Sequence, residues 1–281
     1  MAISLLNNIA SLEAQNQLQV TQSKLQNTLF QLSSGSRINS GADDAAGLAI
    51  ANGLQANVTA LTQSAANAQD GVGALQVSDG ALAQVTTLLN RAVTLATESA
   101  NGTVSDSQRT ALNAEFSQIK AEIDRIGSST TFNGTSVFTA NATNIFLTDA
   151  SSTAANNTIS VTVGTLSSSS IAYNGSTVSF ASDDLTTSSN ATAALSDINT
   201  AISNVAGLRG TIGAGINRLQ SAVNVINSQV QNLTAAQDQI TAANIPQQVT
   251  NLSEFSILNQ SGISALAQAN SAQQSILKLL Q

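Results

Sequence analysis

The stretch "LQANVTALTQSAANAQDGVGALQVSDGALAQVTTLLNRAVTLA", residues 54–96, decides the architecture. Leu54, Val58, Leu61, Ala65, Ala68, Val72, Leu75, Asp79, Leu82, Thr86, Leu89, Val93 and Ala96 follow one another in alternating steps of four and three. Only Asp79 and Thr86 are polar. A 3.5-residue repeat held this long predicts a coiled-coil seam rather than an ordinary surface helix. At 1.5 Å per residue the rod would be ~65 Å long. Gly71, Gly73 and Gly80 are weak helix formers and mark where it can kink.

Outward from the rod, the N-terminal segment Ile3–Leu32 carries Leu5, Ile9 and Leu12, then Leu25, Leu29 and Leu32. Each triplet has the i, i+4, i+7 spacing of one helix face. Gly35 in "SSGS" is the expected left-handed cap. Beyond the rod, "NGTVSDSQ" breaks the helix, and Ser105 and Gln108 have capping-box spacing for the next one. Leu112, Phe116, Ile119, Ile123 and Ile126 form its stripe, Gly127 is its expected end, and Lys120 and Asp124 have i, i+4 pairing distance.

From residue 130 the pattern changes. "TTFNGTSVF" places Asn-Gly between apolar residues, a hairpin signal. "NIFLTD", "TISVTVGT" and "IAYNGSTVSFA" then alternate apolar residues with Ser and Thr. Helical periodicity returns near Ala191, and Ile216, Leu219, Val223, Ile226, Val230, Leu233 and Ile240 repeat the 3–4 steps, with polar Gln237 in the series. Pro246, the only proline, should break or kink the helix at Ile245. A last amphipathic segment carries Leu266, Ala269, Ile276 and Leu280.

The layout is palindromic: an end helix, a breaker, a rod, a β-rich middle, and the same in reverse. The expected fold class is mainly α: a long antiparallel coiled-coil bundle of N- and C-terminal segments with a small β-rich insert. Three domains follow: 1–35 with 247–281 as a terminal coiled coil, 36–138 with 196–246 as a helical rod, and 139–195 as a surface insert.

Composition narrows the chemistry. Of 281 residues none is Cys, His or Trp, which excludes a Ser-His-Asp triad, a Cys-His pair and a His- or Cys-based zinc site. No catalytic residue, cofactor or metal is expected. Nine basic against 16 acidic residues give a net charge of −7, which argues against nucleic acid. No run approaches the ~20 apolar residues of a membrane span, so no membrane insertion is expected. The start, "MAISLLNNIA", lacks a basic n-region and a cleavage site, so export would need a route without a cleaved signal.

"RINSGADDAAGLAI", residues 37–50, concentrates charge in a chain that is only 9% charged. Arg37, Asp43 and Asp44 lack a third converging group for catalysis. They fit a helix start, with acids near its positive end. "LRGTIGAGINRL" has the wrong glycine order for a dinucleotide loop, and no strand precedes it.

The ordered set "QLSSGSRINSGADDAAGLAIANGL", "NAQDGVGALQVSDGAL", "LATESANGT", "AEIDRI…TTFNGTSVF", "RGTIGAGINRL" and "ALAQANSAQQSILKLL" resembles bacterial flagellin over about two-thirds of the chain. The resemblance implies a non-enzymatic subunit of a motility filament, secreted largely unfolded through the flagellum's own type III apparatus. Its main partner would be itself, in a helical homopolymer whose terminal helices order on assembly, helped by an export chaperone and a cap protein. It places Arg37, Asn39, Asp43, Asp44 and Pro246 at a joint between inner and outer tubes and at subunit contacts. Leu5, Ile9, Leu12, Leu25, Leu29, Leu32, Leu266, Ile276 and Leu280 become an assembly stripe. It also matches Arg91, Leu95 and Glu115 to a surface recognised by the innate receptor Toll-like receptor 5. A hook–filament junction protein and a secreted coiled-coil adhesin share parts of the pattern.

Overall fold

The computed structural model describes residues 8–139, 142–147 and 157–279, excluding the side chains of 276–279. The order is α1 (Ile9–Ser34), α2 (Ala45–Ala100), α3 (Asp106–Ser129), β1 (Thr131–Phe132), β2 (Thr135–Ser136), β3 (Thr143–Phe146), β4 (Thr158–Val161), β5 (Leu166–Ser167), β6 (Ser170–Tyr173), β7 (Ser176–Val178), α4 (Ser188–Thr241) and α5 (Ile245–Leu279). No helix among the described residues is long and apolar enough to cross a membrane. The chain is mainly α with small antiparallel sheets in the middle. It divides into two compact units, Met1–Ala56 with Asn232–Gln281, and Asn57–Gln231.

In the second unit α2 and α4 run antiparallel. Asp79 meets Arg209, and the backbones at Gly71 and Gly215 lie against Leu219 and Leu75 respectively. The seam is rotated by about one position from the expected one. Leu61, Ala68, Leu75, Leu82, Leu89 and Ala96 are buried as expected, whereas Val58, Ala65, Val72, Asp79, Thr86 and Val93 are only half-buried. The second buried row is instead Ser64, Gly71, Ser78, Val85, Ala92 and Ser99. Small side chains let the helices approach, and a buried serine can be satisfied within its own helix. Ser78 Oγ, for example, donates to the Ala74 carbonyl at 2.9 Å. On α4 the buried series runs Ala191, Ala194, Ile198, Ala201, Val205, Leu208, Ile212, Gly215 and Leu219, again in 3–4 steps.

α3 begins with the expected capping box: Ser105 Oγ accepts from Gln108 N, and the Gln108 side chain accepts from Ser105 N. It does not end at Gly127 but continues to Ser129, with Gly127 buried beneath the Leu166 carbonyl. The Lys120–Asp124 pair does not form either. Lys120 Nζ donates to the Ala181 and Asp183 carbonyls, while Asp124 accepts from Ser168 N and Oγ.

Asn133-Gly134 makes the expected β1–β2 turn with both residues at positive φ, and Asn174-Gly175 does the same between β6 and β7. β3 pairs with β4, and β5–β6–β7 form a three-stranded meander. These strands do not stand apart as an insert. Ile145, Val161, Leu166, Ile171, Val178, Phe180 and Leu185 join the same buried cluster as Leu75, Leu82, Phe116 and Ile198. The expected 139–195 surface domain therefore contributes to the core of the second unit, and the units divide within α2 and α4 rather than at 35/36 and 246/247.

Candidate assembly interface

In the first unit α1 and α5 pair antiparallel. Asn8 Nδ2 donates to the Ala269 carbonyl at 3.2 Å, Ser11 Oγ to Asn270 Oδ1 at 3.1 Å, and Lys24 Nζ lies 5.9 Å from the Phe255 ring centre. The seam of α1 is Ala14, Leu18, Thr21, Leu25, Thr28 and Leu32. That of α5 is Leu252, Phe255, Asn259, Gly262, Leu266 and Ala269. Both run in 3–4 steps, the signature of knobs-into-holes packing. Thr21 and Thr28 are the buried members of α1, because their hydroxyls donate to the Gln17 and Lys24 carbonyls, each at 2.9 Å. Each hydroxyl is thereby satisfied, and the methyl is free to pack.

The expected stripe splits in two. Leu25, Leu32 and Leu266 are half-buried in the seam. Ile9 and Leu12 are exposed, Ile9 at 68%, and so is Leu29. Leu29 falls one position past seam residue Thr28, and Leu12 and Ile9 fall two and five positions before Ala14, off the 3–4 steps, so all three turn away from α5. Leu5, Leu280 and the side chain of Ile276 lie outside the described residues. Sequence spacing alone missed further exposed apolar groups: Val20 and Phe30 on α1, the latter 69% exposed, and Ile257, Leu258 and Ile263 on α5. The helix pair thus carries large apolar side chains on faces turned away from its own seam.

The joint segments come together within this unit. Gly35 caps α1 at φ +68°, a left-handed conformation for which glycine has no steric cost. Ser36 then bridges to Ala242, Arg37 N donates to the Thr241 carbonyl at 2.6 Å, and Ala243 N donates to the Gly35 carbonyl at 2.9 Å. Arg37 Nη2 reaches the Ile240 carbonyl at 2.7 Å, so its cation sits at the C-terminus of α4, where the helix dipole favours it. Asp43 Oδ2 accepts from Asn39 N, Ser40 N and Ser40 Oγ at 3.0, 2.8 and 3.1 Å. Those donors, Asn39 N–H first, hold Asp43 below the ordinary carboxylate value. Asn39 Nδ2 donates to the Ser36 carbonyl, and Asp44 Oδ1 caps α2 by accepting from Gly47 N at 2.8 Å.

Arg37, Asp43 and Asp44 therefore serve three separate backbone contacts. The break near Pro246 falls at residues 242–244, earlier than Ile245. Pro246 occupies the first turn of α5, where its missing N–H costs nothing, and Asn244 Oδ1 caps the turn by accepting from Gln247 N.

In the second unit, Arg91 forms a bidentate pair with Glu115, Nε to Oε1 at 2.7 Å and Nη2 to Oε2 at 3.0 Å. The pair holds Glu115 below and Arg91 above their ordinary values. Both side chains are about half exposed, but Leu95 is 0% exposed. Leu95 is thus a core residue and offers nothing to a partner. The sequence reading missed buried Arg109, whose guanidinium donates to the Ser99 and Asn101 carbonyls and ties α3 to the end of α2.

The first unit is thus an antiparallel terminal helix pair, with both breaker segments inside it and large apolar side chains turned away from its seam. The family model for the bacterial flagellin N-terminal helical region matches residues 5–143, and that for the C-terminal helical region matches 195–280. A flagellin of Halalkalibacterium halodurans is 32% identical over 281 residues, 98% of each chain. The flagellar filament 30.7 kDa core protein of Treponema maltophilum is 32% identical over 280 residues, again 98% of each. The solved structure of a putative flagellar hook-associated protein from Vibrio parahaemolyticus shares the fold, with a TM-score of 0.54 and 17% identity over 71% of this chain and 100% of that one.

The chain belongs to the bacterial flagellin family and is a structural subunit of the flagellar filament. Full-length agreement with filament proteins of nearly equal length favours this over the junction-protein and adhesin alternatives.

Proposed function

We propose that this subunit polymerises by burying the outward apolar faces of α1 and α5 against neighbouring copies, so that its terminal helices become stable only in the filament. The observation that carries this reading is the exposure of Ile9, Phe30 and Ile257 at 68, 69 and 63% on helices whose own seam is already filled. Burying each such side chain contributes about 1.5–3 kcal/mol. A lone helix pair with two buried threonines and few large seam residues gains little by comparison.

The joint of Ser36, Arg37, Asn39, Asp43 and Asp44 with residues 240–243 then acts as the connection that carries load between filament layers, with Pro246 starting the inward helix. Secretion without a cleaved signal, and partnership with an export chaperone and a cap protein, follow from the family resemblance. An enzymatic role has no candidate residues. For an innate receptor of the Toll-like receptor 5 kind, the exposed Arg91–Glu115 pair supplies the surface, without Leu95.

Deleting residues 247–281 tests the reading. The truncated chain should stay soluble and fail to extend filament seeds. Normal filaments from it would contradict the proposal.

A further inference from the structure

The loop 179–187, between β7 and α4, is fastened at many points within the second unit. Phe180 and Leu185 are fully buried. Phe180 N donates to the Ser168 carbonyl at 3.0 Å, and Leu185 N to Asn113 Oδ1 at 2.9 Å. The Leu185 carbonyl accepts from Ser99 Oγ at 2.6 Å, and Lys120 Nζ donates to the Ala181 and Asp183 carbonyls at 2.9 and 2.6 Å.

Among the described residues, one buried side-chain oxygen has no donor: Asp183 Oδ2. The Asp183 carboxyl lies within hydrogen-bonding and repulsive reach of the Asp197 carboxyl on α4. An ionised carboxylate only accepts hydrogen bonds, so two of them in contact have no bond to make. One proton between them removes both the missing donor and the repulsion.

The surrounding charges are accounted for. Asp184 is occupied by Thr186 N and Oγ and by Asn190 Nδ2. Asp124 on α3 is occupied by Ser168. Lys120 on α3 commits its hydrogen bonds to the two loop carbonyls and lies 5.0 Å from the Phe116 ring centre. Lys120 stays protonated where carboxylates titrate, and its charge lowers Asp183, but burial and Asp197 raise Asp183 by more.

We propose that Asp183 and Asp197 share one proton, and that this proton latches the 179–187 loop against α3 and α4 and makes its closure respond to pH. Burial first, and then Asp197, hold Asp183 above the ordinary 3.8. A group raised on folding stabilises fully below its unfolded value, and that contribution is lost as pH rises through the folded value. The latch is therefore tight in acid and loosens as Asp183 ionises.

The test is aspartate-carboxyl carbon-13 NMR of the full chain, with hydrogen exchange at the Phe180 and Leu185 amides. The Asp183 resonance should titrate with a midpoint above 3.8. Across that midpoint the two amides should open more, by about tenfold for each pH unit of linkage. Asp183→Asn, whose amide donates permanently to Asp197, should abolish that pH dependence and keep the loop protected at neutral pH. Asp197→Asn tests the same bond from the other side should the first variant fail to fold. A midpoint at or below 3.8, or variants as pH-sensitive as the wild type, would overturn the proposal. So would a response of the pair to calcium or magnesium alone, which would make it a cation site.

Discussion

Asp79 on α2 and Arg209 on α4 form a bidentate pair, Nε to Oδ1 at 2.8 Å and Nη2 to Oδ2 at 3.3 Å, beside the helix seam. The carboxylate that interrupts the apolar series of α2 thus has its partner 130 residues away. Both side chains are about 40% exposed, so solvent screens the pair.

A double-mutant cycle with Asp79→Ala and Arg209→Ala should therefore give a coupling of about 0.2–1 kcal/mol in urea unfolding. The pair acts mainly on register, because a slide of either helix would strand both charges. A coupling several times larger would mean that the pair is effectively buried.

The middle strands contribute to stability, and Phe180 measures how much. Its side chain is fully buried in the cluster that holds Leu75, Phe116 and Ile198. Phe180→Ala should cost about 3–5 kcal/mol in chemical unfolding, as for other large-to-small core changes. A loss below about 1 kcal/mol would restore the picture of a separate surface insert.

At the joint, Asp43 is held below its ordinary value of 3.8 by Asn39 and Ser40. A carboxylate lowered on folding contributes stability above its unfolded value and loses it as pH falls through the folded one. Asp43→Ala should therefore weaken filaments at neutral pH, with the difference from wild type fading only once pH falls below the ordinary carboxylate value and through the lowered folded one. Heat dissociation of filaments across pH reads this directly, and a difference that persists unchanged in acid would contradict it.

Gly127 is required for a different reason than a helix stop. A Cβ there would overlap the Leu166 carbonyl oxygen, which is backbone and cannot rotate away. Gly127→Ala should displace β5 from α3 and destabilise by at least about 1–3 kcal/mol, although alanine is the better helix former. Circular dichroism melting would show the drop, and an unchanged or higher melting temperature would refute the overlap.

Much of this was legible in the residues. The Gly35 cap, the Ser105–Gln108 box and the Asn133-Gly134 turn follow from local rules, and the structure keeps each of them; the 3–4 repeats gave the long helices of α2 and α4, but only every second residue of the expected α2 seam is buried. What escaped is set by partners distant in sequence. Ser64, Gly71 and Ser78 read as polar or weak, yet they form a buried row because small groups suit close helices. Arg109 looks like a solvated cation, and Lys120 like a partner of Asp124, until the carbonyls they bind are placed beside them. Ile9 and Leu12 seemed one stripe with Leu25 and Leu32, but only the latter two fall on the 3–4 steps that meet α5. The middle strands alternate like a free-standing sheet, and nothing local reveals that their apolar side joins the helical core.

The most direct test of assembly through the outward faces is seeded polymerisation of the chain carrying Phe30→Asp and Ile257→Asp, followed by electron microscopy. Neither residue lies in the α1–α5 seam, so helicity of the free subunit should match wild type. The account predicts a critical concentration raised at least about tenfold, given about 1.5–3 kcal/mol per buried apolar side chain. Filaments of normal form at the wild-type critical concentration would contradict it.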